Sequence, residues 1–113
     1  MGSLNYDVSR LIKHIEDMNY QLTIATETYA NDNHERNVCT DISIAVQSAM
    51  DHDLANILKC RQRDWFESQS IYISMETKLI EKWNGMVNTA IENMNEYTQP
   101  LEKLKRMDPG YFL

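Results

Sequence analysis

Apolar residues recur along this chain in steps of three and four positions, and this spacing constrains the fold more than any other feature. The first row, here called the first heptad face, contains Leu4, Val8, Leu11, Ile15, Met18, Leu22, Ala25 and Tyr29. In the second half of the chain, adjacent apolar pairs recur one heptad apart. A repeat of about 3.5 residues is typical of helices that lay one stripe on a neighbour. The sequence therefore predicts an all-α fold with coiled-coil-like packing.

The length of the chain, 113 residues, predicts a single helical domain spanning residues 1–113. Two long helices of this size cannot enclose a thick core, so each apolar face needs a further partner. We therefore expect an oligomeric bundle, either a dimer or a tetramer. The chain contains only three Gly and two Pro, which disfavours a loop-rich or all-β alternative.

The expected architecture is a long antiparallel helical hairpin, whose first helix runs from about residue 4 to about residue 50. Residues 31–37 are seven consecutive polar residues, and they form either a turn or a solvated part of one continuous helix. Because no Gly or Pro occurs between Leu4 and Met50, the continuous helix is preferred. A turn at residues 31–37 would instead divide the chain into three helices.

A turn at residues 51–53 is expected to bring the second helix back against the first. Asp51 and Asp53 are good N-cap residues, because their side chains can accept hydrogen bonds from the free N–H groups that open a helix. The second helix then runs from about residue 54 to about residue 97. A short C-terminal turn follows at residues 100–107.

The apolar face of the second helix, here called the second heptad face, is the predicted surface for binding and self-association. Its members are Leu58, Trp65, Phe66, Tyr72, Ile73, Leu79, Ile80, Trp83, Met86 and Val87. The face is wider than the first one, and a wide apolar face contacts more than one neighbour. Gly85 lies within this helix at a cost of about 1 kcal/mol, which indicates a close approach or a local bend.

The charge of the chain argues against nucleic acid as a partner. Asp and Glu number 17 against 11 Lys and Arg, so the formal charge is −6 and the attraction to phosphates is missing. The sequence shows no secretory signal pattern and no apolar stretch of the roughly 18 to 20 residues that a membrane span needs. Both observations favour a cytoplasmic protein without a transmembrane segment.

Residues that could carry chemistry are scattered. His14, His34 and His52 lack the spacing of a helical metal site, and Cys39 and Cys60 do not form a Cys-x-x-Cys motif. No nucleophile elbow, P-loop or dinucleotide-binding fingerprint occurs. The sequence therefore predicts a protein that is not an enzyme and that has no catalytic site, metal or cofactor.

The stretch from residue 37 to residue 100 resembles the phasins, which coat polyhydroxyalkanoate granules in bacteria. The resemblance lies in a helix that ends at Met50, the acidic segment 51–54, and the segment 58–65 with its cluster of basic residues before Trp65. It continues through Tyr72, the Leu-Ile-Glu-Lys-Trp stretch at residues 79–83, and the exit from Ala90 to Pro100 and Leu101.

This resemblance implies a cytoplasmic, non-enzymatic, oligomeric helical protein that adsorbs to the granule surface through an apolar face. The main alternative is a dimeric helical chaperone or adaptor, of the kind found in secretion systems, which holds the amphipathic helix of a partner protein in a groove. A purely structural coiled-coil subunit is a third interpretation. All three share a wide amphipathic stripe and differ in what covers it.

Overall fold

A computed structural model describes residues 7–63 and 65–99 of the chain. These residues form three α-helices, α1 (Ser9–Tyr29), α2 (Asn33–Gln62) and α3 (Gln69–Thr98). Helix accounts for 88% of the described residues, among which there is no strand. The prediction of an all-α fold is confirmed.

The three helices run up, down and up, and each of them packs against the other two. At one end of the bundle, the Tyr72 hydroxyl on α3 donates a hydrogen bond to the carbonyl of Asp7, just before α1, at 3.1 Å. At the other end, the Tyr97 hydroxyl near the end of α3 lies 2.8 Å from Nε2 of His34 at the start of α2. Helices α1 and α3 are therefore parallel, and α2 is antiparallel to both.

The first break in the chain falls at residues 30–32, so the preferred continuous helix through this region is wrong. Asp32 has an extended backbone, and its carboxylate accepts a hydrogen bond from the Glu35 N–H at 2.8 Å. The Glu35 carboxylate in turn accepts a hydrogen bond from the Asn31 N–H at 2.9 Å. Asp32 is thus the N-cap of α2, and Glu35 reaches back to the N–H of the residue before that cap. These two side-chain contacts start a new helix without any Gly or Pro.

The predicted turn at residues 51–53 is also wrong, because these residues lie inside α2. Asp53 caps no helix. Its carboxylate reaches across to α3 and accepts hydrogen bonds from Lys82 Nζ at 2.9 Å and Trp83 Nε1 at 3.0 Å. The apolar spacing continues past the acidic residues, and Met50 and Ile57 are both buried. Burial of that face outweighs the local capping preference of an Asp.

The second reversal lies between α2 and α3, inside the stretch that was expected to be one helix from residue 54 to residue 97. Ser68 caps α3, with its hydroxyl accepting a hydrogen bond from the Ile71 N–H at 3.2 Å. The chain is thus a three-helix bundle where two helices were preferred. Leu4 and the expected turn at residues 100–107 lie outside the described residues.

The core lies where the three helices meet. Its largest fully buried side chains are Trp83, Tyr72, Leu11, Leu22, Met50 and Met94, which come from all three helices. Three shorter faces therefore close on each other within one chain, so self-association is not required to cover them. The predicted dimer or tetramer stays a prediction.

The two tryptophans provide a matched test of this core. Trp83 has no exposed surface, whereas Trp65 is 65% exposed. We expect Trp83→Ala to lower the free energy of unfolding by about 3–5 kcal/mol, because it removes a large buried side chain and leaves a cavity. Trp65→Ala should change it by less than about 0.5 kcal/mol. Urea unfolding followed by circular dichroism measures both, and equal effects would contradict the described packing.

Candidate functional site

The structure divides the second heptad face among three environments. Its ten members are buried (Phe66, Tyr72, Trp83, Val87), half-buried (Leu79, Ile80, Met86) or exposed (Leu58, Trp65, Ile73). The four buried residues belong to the core of the bundle, and they include every aromatic residue of the face except Trp65. They cannot contact a partner while the bundle is closed. Whether the remaining members bind a partner stays a prediction.

The first heptad face lies almost entirely inside the bundle. Tyr29 is half-buried, and the other described members are buried. The buried members, which form the inward side of α1 and of the residue before it, are Val8, Leu11, Ile15, Met18, Leu22 and Ala25. Helix α1 contacts both α2 and α3 through this side. This face therefore stabilises the fold within one chain.

A groove of about 710 Å³ runs between α2 and α3. Its lining is mainly apolar, with Ile42, Ala45 and Val46 from α2, and Lys82, Gly85, Met86, Thr89, Ala90 and Asn93 from α3. The lining residues of α3 span about 17 Å along the helix at 1.5 Å per residue. Three other concavities on the described helices are smaller, at about 380, 320 and 270 Å³.

The apolar surface of the groove continues along α3 toward the start of that helix. Ile71, Met75 and Leu79 follow one another at intervals of four residues, and Met86 lies seven residues further on. These spacings place the four side chains, here called the α3 track, on one side of the helix. Ile71 is 43% exposed, Met75 is 39% exposed, and the other two are half-buried. The groove and the α3 track together form an elongated apolar surface.

Gly85 is not packed against any other described residue of the chain. A Cβ atom built on it would meet nothing within 4 Å, and the residue lies in the middle of α3. A glycine inside a helix destabilises it by roughly 0.5–1 kcal/mol relative to alanine. Of the two sequence-based interpretations, a close approach within this chain is thus wrong for the described residues. Gly85 is exposed and lines the groove, so it leaves the α3 edge of the groove open to an occupant.

One ion pair joins α2 to α3 at Lys82, a lining residue of the groove. Lys82 and Asp53 are 2.9 Å apart, and the Asp53 side chain is 14% exposed. Burial raises the pKa of Asp53, but the hydrogen bonds from Lys82 and Trp83 and the nearby positive charges outweigh this effect and lower the pKa below its usual value. The carboxylate therefore stays ionised and ties α2 to α3 beside the groove.

The described residues give little support to reactive chemistry. They include no group of three or more His, Cys, Asp and Glu side chains that could hold a metal ion. Cys39 and Cys60 are free thiols. Burial, with a smaller contribution from the charge of Glu35, raises the pKa of the Cys39 thiol, so this thiol is protonated and unreactive at neutral pH. His34 contacts Tyr97 and no second histidine.

Sequence reasoning missed most of the groove. Thr89, Asn93 and Ala45 belong to neither heptad face, because only the packing of α2 beside α3 brings them together. The one signal of the groove in the sequence was Gly85, because glycine destabilises the interior of a helix and no turn nearby accounts for it.

No protein-family model, curated protein or solved structure matches this chain. None of the three described helices has a stretch that is long and apolar enough to cross a membrane. The groove, the α3 track and the charges around them are therefore the basis for assigning a function.

We expect the stability of the bundle to depend on the ionisation of Asp53. Its pKa in the folded protein lies below the ordinary value of 3.8, so the ionised carboxylate stabilises the fold above that pH. This contribution is lost as the pH falls through the lower folded-state pKa. Asp53→Asn should therefore reduce the free energy of unfolding by on the order of 1 kcal/mol at about pH 7, and by less below about pH 4.

The matched control is Asp51→Asn, since Asp51 is exposed and forms no ion pair or hydrogen bond with another side chain of the described residues. Urea unfolding of the two variants and the parent chain over a pH series gives the comparison. An Asp53→Asn effect that stays constant from neutral to acid pH would contradict the proposed role of the carboxylate charge.

Proposed function

We propose that this chain is a non-enzymatic helical binding protein, an adaptor or chaperone, that holds an amphipathic helix of a partner protein in the groove between α2 and α3. The observation that carries this proposal is the groove itself, which is elongated, open and lined mainly by apolar side chains. Exposed apolar surfaces of this kind mark interaction sites in proteins.

The form of the groove favours a helix over an extended segment. An extended segment lying between two helices finds no strand edge to pair with, so its backbone N–H and C=O groups would lose water without replacement. A helix satisfies its own backbone groups and presents only side chains. Among the described residues, α1 packs against both α2 and α3. The groove therefore has the place that a fourth helix takes in a four-helix bundle.

Coating of polyester granules, which the phasin resemblance implies, is the second candidate. The exposed members of the α3 track would supply apolar contact with an uncharged surface, and Trp65 and Ile73 are further exposed apolar residues outside that track. Adsorption through the whole second heptad face would additionally require α3 to separate from the core, since Tyr72 and Trp83 are buried there. The closed bundle therefore favours the adaptor over the coat protein.

We expect a polar substitution in the groove to weaken partner binding. Met86→Glu should reduce the affinity for an amphipathic helical peptide by about tenfold or more, because it places a charge against an apolar helix face. The probe is a fluorescent peptide of about 18 residues made of Leu, Ala and Lys, which is long enough to form a helix. Fluorescence anisotropy reports its binding.

The matched control is Ile44→Glu, which introduces the same charge at an exposed apolar residue of α2 that lies outside the groove. The control should bind the peptide as the parent chain does. Equal losses in both variants, or no peptide binding by the parent chain, would contradict the adaptor function.

Polyhydroxybutyrate particles test the second candidate in the same variants. Retention on an uncharged polyester should depend on apolar area and change little with salt. A chain that is retained on the particles over a salt series but does not bind the peptide would favour the coat protein. Loss of retention in the double variant Trp65→Glu with Leu79→Glu would then assign adsorption to the second heptad face.

A further inference from the structure

We infer that the helix received by the groove is basic along its flanks and crosses α3 at Gly85. This inference rests on the proposed function and specifies the chemistry of the partner. Two independent observations support it, namely the charges along the outer edges of the groove and the open space above Gly85.

The outer edges of the groove are acidic. On α3, Glu81 precedes Gly85 by four residues and Glu92 follows it by seven, which places both carboxylates on the same edge of the helix as Gly85. Glu96 extends this edge by another turn. On α2, Asp41 precedes the lining residue Ala45 by four residues and occupies the opposite edge. All four carboxylates are exposed.

These carboxylates are not neutralised within the described part of the chain. No Lys or Arg of residues 7–63 and 65–99 forms an ion pair with any of the four, and Lys82 is already paired with Asp53. Lys78 is the remaining cation near this edge of α3. A partner that brings Lys or Arg beside its apolar stripe would neutralise the excess negative charge of these carboxylates, whereas a partner with acidic flanks would be repelled.

The same charges disfavour a second copy of this chain as the occupant. The chain has a formal charge of −6, so two copies that meet at this groove would place acidic surfaces against each other. Like charges brought together across an interface suppress an association. The charges therefore favour a basic helix over a second copy of this chain.

Gly85 indicates where the partner helix comes closest. The space above Gly85 is empty and Ala45 lies on the facing helix, so the backbone of an incoming helix can approach α3 more closely here than at any larger side chain. Small residues at a crossing point allow two helices to come close together. The partner helix should accordingly carry Ala or Gly at this point, and Leu or another large residue one turn away on either side.

Three peptides test the charge of the partner. Each has about 18 residues and the same Leu and Ala stripe, and the flanking positions are occupied by Lys, Glu or Gln. We expect the Lys peptide to bind at least tenfold more tightly than the Glu peptide at low salt, with the Gln peptide in between, and the difference to shrink as salt rises. In the double variant Glu92→Lys with Glu96→Lys, the preference for the Lys peptide over the Glu peptide should fall or reverse.

Two substitutions test the crossing point. Gly85→Leu adds a large side chain at the predicted point of closest approach and should reduce binding of the Lys peptide at least tenfold, while the midpoint of thermal unfolding stays the same or rises. Gly85→Ala is the matched control, since its single methyl group enters free space, and it should lower binding by less than Gly85→Leu. A Gly85→Leu variant that binds like the parent chain would overturn the crossing point.

The outcomes also separate this inference from the proposed function. Equal binding of all three peptides, abolished by Met86→Glu, would overturn the basic partner and leave the adaptor function standing. Absence of binding by any peptide would contradict both. Solution scattering that shows a dimer, lost in Gly85→Leu, would identify a second copy as the occupant and overturn the inference.

The chain itself offers one competing segment by sequence, with Leu101, Leu104 and Met107 beside Lys103, Lys105 and Arg106. The double variant Leu101→Glu with Leu104→Glu tests this segment. If the Lys peptide binds the double variant at least tenfold more tightly than the parent chain, this segment is the native occupant and the proposal of a separate partner is overturned. Equal affinity of the two chains supports a separate partner.

Discussion

The fold depends on the burial of Trp83 between the helices. Its ring has no exposed surface, and burial of the indole N–H requires a hydrogen-bond acceptor. Asp53 of α2 provides that acceptor at 3.0 Å and is itself held by Lys82. The contact joins apolar packing to a directional polar bond. It therefore sets how α2 lies along α3, and with it the position of the groove that these two helices form.

Closure of the core also decides which surfaces remain for binding. Tyr72 and Trp83 would be the strongest anchors for an apolar partner, but the bundle itself uses them. The surface left over is narrower and consists of Met86, the small residues around Gly85, and the exposed start of the α3 track. A narrow apolar groove with acidic edges selects for shape and charge, whereas a wide stripe would adsorb to any apolar surface.

Helical periodicity was sufficient to identify the helical class and much of the core. Leu11, Leu22 and Val87 are buried as their spacing predicts, because position along a helix determines which side a residue occupies. The first chain reversal falls beside residues 31–37, where the sequence left a turn open as the alternative to a continuous helix. The second reversal, between α2 and α3, was not predicted. Residues of the types that cap helices occur at Asp32, Asp51, Asp53 and Ser68, but only Asp32 and Ser68 are caps. Local preference alone does not distinguish a cap from an aspartate such as Asp53 that reaches across to another helix.

The sequence by itself thus determined that the chain is helical and which residues of α1 face inward, because both follow from local periodicity. Only the tertiary structure decided where the chain turns and which face each helix has left to offer. Groove residues such as Ala45 and Asn93 are far apart in sequence and have no shared pattern. They form one surface because α2 packs beside α3. That packing depends on the burial of side chains from all three helices and cannot be read from the sequence of one helix.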